Sequence, residues 1–164
     1  MTLFKGIKKI FVTALGDVNL STDLLDTLGD IRFENGKVYK YVLYSEGTAA
    51  LDTTIGHVLV YVGSTGYHAN TVSRDYADAS GQLIGAGVAV AAVTTDARYM
   101  WVQIKGPFTM AITLGGTATD GSPLTAVGAS SGGMSLVGAT AANSPVMAFA
   151  TDASAKLCTA DFPF

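Results

Sequence analysis

Short segments rich in β-branched and aromatic residues, separated by turns of glycine, serine and asparagine, run along most of this chain. About nine or ten such segments follow one another at fairly even spacing, and almost nothing has the period of a helix. This pattern is typical of an antiparallel β-sandwich or β-barrel. Both architectures show the same alternation of side chains, so the sequence predicts an all-β fold and leaves sandwich or barrel open.

Two hairpins are the clearest local predictions. In residues 31–46, Asn35-Gly36 separates two strand-like runs, and both residues tolerate the positive φ that a two-residue hairpin turn needs. In residues 87–104, two apolar runs flank a short polar turn. Further strands are predicted in 57–63, 108–114, 133–138, 145–151 and 155–161.

The chain is predicted to form one body with an arm. Its 164 residues suit a single domain. Residues 1–29 are assigned to the N-terminal arm and a short helical connector, and residues 30–164 to the β-sandwich or β-barrel body. In the connector, Ser21 or Thr22 can cap a helix of one or two turns, and Gly29 can end it.

The polar stretch 64–82 has no hydrophobic period and is predicted to be a long loop. Loops of this length are uncommon in compact domains and are often functional.

Apolar side chains lie on both faces of the predicted strand around Trp101. Tyr99 and Trp101 point to one face, and Met100 and Val102 point to the other. A second sheet, the 64–82 loop or a second chain could cover the additional face.

No constellation of residues indicates catalysis, a metal or a cofactor. His57 and His68 are the only histidines, and the acids that follow His68 match no established ligand spacing. The single cysteine, Cys158, lies in a strand pattern and is expected to be a buried structural thiol. The glycines form no nucleotide-binding motif. We therefore expect no enzyme and no cofactor; a hydrolase or lyase would need a pocket that joins His57 or His68 to a carboxylate.

Charge is low throughout and uneven. The net charge is −3, which does not indicate nucleic-acid binding, and no apolar run approaches the length of a membrane helix. Charged residues make up 14%, against about 25% in typical domains. Residues 106–164 contain only four charged residues. Either the surface is a neutral one of serine and threonine, or much of this half packs against other chains.

Four segments together resemble capsid decoration (cement) proteins of tailed bacteriophages and related virion components. These segments are 28–44, 85–107, 119–124 and 144–154. They carry a strand pair ending in tyrosine, a "V-x-V…Y-x-W-V-Q" hairpin and a "G-x-P-L" turn. The resemblance implies a protein without an active site that binds the outer surface of the major capsid protein and stabilises the head. It implies a homo-oligomer, with a trimer favoured over a dimer, located on the virion surface after assembly in the host cytoplasm.

The arm could clip onto a neighbouring subunit or the capsid, or it could be a strand of the chain's own sheet. In the first case its apolar residues are anchors and its lysines meet an acidic capsid surface. The candidate interface residues are Phe4, Lys5, Ile7, Lys8, Lys9, Ile10, Phe11, Tyr99 and Trp101. Removal of residues 1–16 is expected to weaken attachment while the body stays folded. Tyr99 and Trp101 are expected to lie at a subunit interface or under the 64–82 loop, and only in the first case should Trp101 fluorescence shift to the blue on assembly.

An alternative is a tail- or fibre-associated virion protein. It would contact host glycans through Tyr67, His68 and Tyr76 in the 64–82 loop. A bacterial surface adhesion module is a further alternative.

Overall fold

The computed structural model of the protein describes residues 10–20, 22–63, 69–79, 83–126, 131–138 and 145–163. Within these ranges lie eleven β-strands and a 3-10 helix over Tyr76–Ala79. The strands are β1 (Val18–Leu20), β2 (Ile31–Glu34), β3 (Lys37–Tyr44), β4 (Val58–Tyr61), β5 (Thr71–Ser73), β6 (Gly85–Ala89), β7 (Arg98–Thr109), β8 (Pro123–Ala126), β9 (Met134–Leu136), β10 (Ala148–Asp152) and β11 (Leu157–Asp161). The predicted all-β fold is confirmed.

Five strands close into a barrel. They are ordered β3-β5-β4-β6-β7. Strand β7 then pairs back onto β3, from Val38 opposite Lys105 to Tyr44 opposite Arg98, and this pairing closes the ring. The β3–β5 pair is parallel, and the other pairs of the ring are antiparallel. Side chains alternate across β7, so that Met100, Val102 and Ile104 lie in the main core while Trp101 faces outward.

The end of β7 leaves the barrel and begins a second sheet with the order β7-β11-β10-β8-β9. A separate strand had been predicted after Gly106-Pro107, but β7 runs through both residues to Thr109. Gly106 has a φ of 97°, which bends the strand without a Cβ penalty. The pairing of β3 with β7 starts at Val38 opposite Lys105 and does not reach Pro107. Among the described residues, Pro107 therefore has a strand partner on one side only, Thr159 of β11, and its missing N–H is tolerated.

The predicted hairpins are both present. Asn35 and Gly36 have φ values of 51° and 75°, as the two-residue turn between β2 and β3 requires. Strands β6 and β7 pair antiparallel, with Val88 opposite Gln103. Their connection covers residues 90–97 and is longer than predicted, because Val93 pairs with Thr53 instead of turning directly.

The predicted helical connector is wrong for its described residues, 22–30, which form turns and contain no helix. The Gly29 N–H donates to Tyr41 O, and the Tyr41 N–H donates to Asp30 O. These bonds tie the segment to the edge of β3, and the backbone cannot also form helical bonds. Its Asp side chains stabilise turns instead, as in the bond from the Thr27 backbone N–H to the Asp30 carboxylate.

The long-loop prediction for residues 64–82 is also wrong in part. The stretch contains β5 and the 3-10 helix, and Val72 and Ser73 of β5 are fully buried in the barrel wall. A three-residue strand is too short to show a period in the sequence. Residues 64–68 and 80–82 of this prediction lie outside the described residues.

Candidate functional site

Trp101 lies on the outward face of β7, and the chain's own N-terminal segment covers it. The Phe11 ring meets the indole edge-on at 5.1 Å, and the Tyr41 ring lies 5.0 Å away on the neighbouring strand. The Trp101 Nε1–H donates to Thr13 Oγ1 at 2.8 Å. The second apolar face of this strand is therefore covered by residues 11–13 of the same chain.

A buried carboxylate holds this N-terminal segment in place. Asp26, 6% exposed, accepts hydrogen bonds from the Val12 N–H at 3.1 Å and the Thr13 N–H at 3.0 Å, and also from the Thr13 hydroxyl. The Arg32 guanidinium donates to Thr13 O at 2.9 Å and lies over the Phe11 ring. Because a buried carboxylate is stable only when it is hydrogen-bonded, this network orders the segment against the barrel.

The structure separates the predicted interface residues into three groups. The side chain of Trp101 is fully buried and contacts Phe11 within the chain, so the prediction that it directly contacts another subunit is wrong. Tyr99 is half-buried and stacks on Tyr41 at 6.0 Å, and its contact with a partner stays a prediction. Ile10 is 86% exposed. The others, Phe4, Lys5, Ile7, Lys8 and Lys9, lie outside the described residues.

Exposed aliphatic side chains occur on both the N-terminal segment and residues 22–30, two segments that the hydrogen bond from the Val12 N–H to Asp26 joins. Val12 is 68% exposed, Leu24 52% and Leu25 48%. With Ile10, these exposed side chains are called the N-terminal apolar patch. Grouped exposed apolar side chains mark interaction surfaces more often than single ones do. Val12, Leu24 and Leu25 were not predicted as surface residues, although a pair of leucines among polar residues can indicate an exposed apolar site.

The outer face of the second sheet is uncharged over a whole cross-strand row. Pro107, Thr159, Phe149 and Pro123 lie side by side on β7, β11, β10 and β8. Phe149 is 42% exposed. The next row outward begins with an ion pair between Lys105 and Asp161. The low charge of residues 106–164 corresponds in part to this neutral face.

Four tyrosines of β3 and β4 are core residues. Tyr39, Tyr41, Tyr44 and Tyr61 are all buried, so they serve packing and offer no open aromatic platform at the surface. Lys40, whose burial was not predicted, is 7% exposed and donates from Nζ to the Tyr61 hydroxyl at 2.9 Å. Desolvation by burial lowers the pKa of Lys40.

Tyr76, one of the three residues predicted to contact host glycans, is buried. Tyr76 is 4% exposed, and its hydroxyl donates to Gly133 O at 2.7 Å. It therefore joins the 3-10 helix to the start of β9 and cannot reach a glycan on the surface. Tyr67 and His68 lie outside the described residues.

Two groups that could carry chemistry are buried and paired. His57 is 7% exposed, and its Nδ1 accepts the Thr54 N–H at 3.0 Å. Burial and the nearby Arg74 lower the pKa of His57 to about 4. Cys158 is buried, as predicted, and burial raises the pKa of its thiol to about 11. No group of three or more metal-ligating side chains occurs among the described residues.

The depressed pKa of His57 predicts a specific dependence of stability on pH. Between pH 6.5 and about 4 the unfolded chain binds a proton at this histidine that the folded chain does not. The contribution of neutral His57 is therefore complete above pH 6.5 and is lost as the pH falls toward 4, by up to about 1.4 kcal/mol per pH unit.

This dependence can be measured by urea unfolding across the same pH window in a His68→Asn background, where His57 is the only histidine. His57→Asn keeps an acceptor near the Nδ1 position and does not titrate, so its stability should fall less steeply. Identical slopes in the two proteins would contradict the prediction.

No protein-family model matches this chain, and neither a curated protein nor a solved structure matches it. Among the described residues, no helix has the length and apolar character needed to cross a membrane. Function is therefore inferred from the residues of this chain alone.

Proposed function

We propose that this protein is a structural component of a tailed-phage virion, a capsid decoration protein that binds the outer surface of the major capsid protein and stabilises the head. The resemblance of residues 28–154 to such proteins supports this proposal. The observation that carries it is the N-terminal apolar patch. In the sequence it follows Lys5, Lys8 and Lys9 directly, and Phe11 and Thr13 pack its segment onto Trp101 of the barrel.

The patch has the properties of a contact that is completed only on assembly. Ile10 and Val12 face outward, while Phe11 and Thr13 between and beside them anchor the same segment to Trp101. Burying one such aliphatic side chain contributes about 1.5–3 kcal/mol. Four of them together supply a useful driving force for attachment.

In this proposal Lys5, Lys8 and Lys9 lie against an acidic region of the capsid, and the protein acts as a small homo-oligomer, with a trimer favoured. A protein that binds only the assembled lattice stabilises it by mass action. Contacts between neighbouring copies on a symmetric shell increase that effect. The protein would be assembled in the host cytoplasm and retained on the capsid surface.

Copy number in purified virions is the direct test. Peptide mass spectrometry should give a ratio to the major capsid protein near one, or a simple fraction of it. A handful of copies per particle would indicate the tail or a vertex instead, and complete absence from virions would contradict a structural role.

Replacing both Ile10 and Val12 with serine should weaken binding to capsids about 10–100-fold, because two exposed aliphatic contacts are lost. The measurement is occupancy on shells at limiting protein concentration. Leu157→Ser, which removes an exposed leucine from the second sheet, is the matched control and should bind normally. Loss of occupancy in the control but not in the double variant would assign the contact to the second sheet.

This double variant replaces removal of residues 1–16 as the test of the arm. The deletion would take away Phe11 and Thr13 and uncover Trp101, so we expect it to disturb the body as well as the arm. The predicted blue shift of Trp101 on assembly also loses its basis, because the indole is already buried.

A further inference from the structure

A cleft of about 280 Å³ opens on the outer wall of the barrel, where β7 separates from β3 and β6. Its walls come from four parts of the chain that are distant in sequence: the N-terminal segment, the β3 strand, the turn before β4, and the β6–β7 pair. The residues that define it are Leu15, Lys37, Tyr39, Ile55, Val90 and Gln103.

The cleft is held open by hydrogen bonds that do not involve a ligand. Gln103 Nε2 lies 3.2, 3.0 and 3.0 Å from the carbonyl oxygens of Lys105, Gly106 and Pro107, and its two N–H groups are shared among these three acceptors, which fixes the bend in β7. On the opposite rim, the Gly56 N–H donates to Ala89 O at 2.9 Å. The shape therefore exists before anything binds, so binding does not have to order these groups.

Three polar atoms at the cleft have no hydrogen-bond partner among the described residues. Gln103 is 3% exposed, and every hydrogen bond it makes uses Nε2, so its Oε1 remains a free acceptor. The Tyr39 hydroxyl and Lys37 Nζ also make no such bond within the described ranges. The nearby carboxylate of Glu34 pairs with Arg32 and not with Lys37.

The apolar lining is aliphatic. Ile55 is 67% exposed on the rim, and Leu15 and Val90 are half-buried beside it. The aromatic rings of Tyr39 and Phe108 are only 6% and 8% exposed, so they offer no open face for stacking a sugar ring. The chemistry fits an aliphatic group that is accompanied by a hydrogen-bond donor and an anion.

We propose that this cleft binds an extended polypeptide segment of a partner protein. The segment places one apolar residue in the cleft, and a carboxylate lies next to that residue. The apolar side chain lies between Ile55, Leu15 and Val90. The backbone N–H of the bound residue donates to Gln103 Oε1. The carboxylate accepts hydrogen bonds from Lys37 Nζ and the Tyr39 hydroxyl. Only the identity of the partner, the major capsid protein, rests on the proposed function.

N-acetyl-L-leucine is a minimal probe, because it joins an apolar side chain, an amide N–H and a carboxylate. It is titrated into the full-length protein and followed by NMR at Ile55, Val90 and the Gln103 side-chain amide. We expect a dissociation constant on the order of millimolar for so small a ligand. N-acetyl-L-leucinamide, which lacks the charge, should bind about tenfold more weakly.

Two lysine variants separate the cleft from general charge attraction. Lys37→Met should abolish the preference for the carboxylate probe, while Lys156→Met, which removes a lysine that does not line the cleft, should keep it. Ile55→Ser should weaken both probes. Lys37 and Ile55 face solvent at least in part, so these variants are expected to fold.

Absence of shifts at the cleft, or equal binding of the two probes, would overturn the proposal. Tighter binding of D-glucuronate than of N-acetyl-L-leucine would also overturn it, in favour of an acidic sugar. A protein that is absent from virions but shows the predicted probe preference would leave the cleft proposal standing and remove the capsid as its partner.

Discussion

Replacing Trp101 with alanine is expected to lower the free energy of unfolding by about 3–5 kcal/mol, the usual cost of deleting a large buried aromatic side chain. The indole is fully buried, so its removal leaves a cavity between β7 and the N-terminal segment. Phe11 loses its edge-on ring contact, and Thr13 loses the hydrogen bond from Nε1. The loss should be measured by urea unfolding followed by circular dichroism.

Limited proteolysis should show a second effect of Trp101→Ala, which is faster cleavage within residues 10–20. Thr13→Val is the companion variant, because it keeps the shape of the side chain and removes its hydroxyl. It should cost about 1–3 kcal/mol, since the Trp101 N–H and one Asp26 oxygen lose a partner. A loss of less than about 1 kcal/mol for Trp101→Ala would show that the segment does not pack on this strand.

Replacing Gly56 with alanine is expected to cost about 2–5 kcal/mol, as the sum of a backbone penalty and a steric one. Gly56 has a φ of 88°, which disfavours any residue with a Cβ. A Cβ there would also lie 2.6 Å from Thr109 O and 2.8 Å from Ala111 N, and both atoms belong to the backbone. Neither can move without disturbing the end of β7.

Gly121→Ala is the matched control for this prediction. Gly121 has a φ of 83°, but a Cβ there would meet nothing within 4 Å. It should lose only the backbone part, about 1–2 kcal/mol. Thermal or urea unfolding of both variants measures the difference. Equal losses would mean that the turn at Gly56 can shift away from β7, and the cleft beside it would then not be rigid.

Much of the local structure was predictable from the sequence. The Asn35-Gly36 turn follows from the backbone freedom of two adjacent residues. The alternation in β3 and β7 that separates Val42 and Val102 from Trp101 is a property of neighbouring residues along one strand. The burial of Cys158 followed from the same period.

The candidate site was only partly predictable. Ile10 and Phe11 were both predicted to be interface anchors, but only Ile10 is largely exposed, whereas Phe11 packs inward on Trp101. Tyr76 was read as a surface residue because its neighbours in sequence are polar, yet its hydroxyl bonds a carbonyl 57 residues away. Gln103 gave no signal, because its role depends on a bend in β7 that becomes visible only in the folded strand.

The sequence by itself determined that this chain is a β-protein with a hairpin at Asn35-Gly36, since turn chemistry and a period of two act over a few residues. Only the tertiary structure decided that β3 closes onto β7, that a three-residue β5 completes the barrel, and that Thr13 covers a tryptophan 88 residues away. Those features depend on which surfaces lose water together when the chain folds. Residues that are neighbours in sequence carry little information about such pairings, because the free energy of a contact between distant segments depends on the apolar surface that both bury and on the entropy of closing the chain between them.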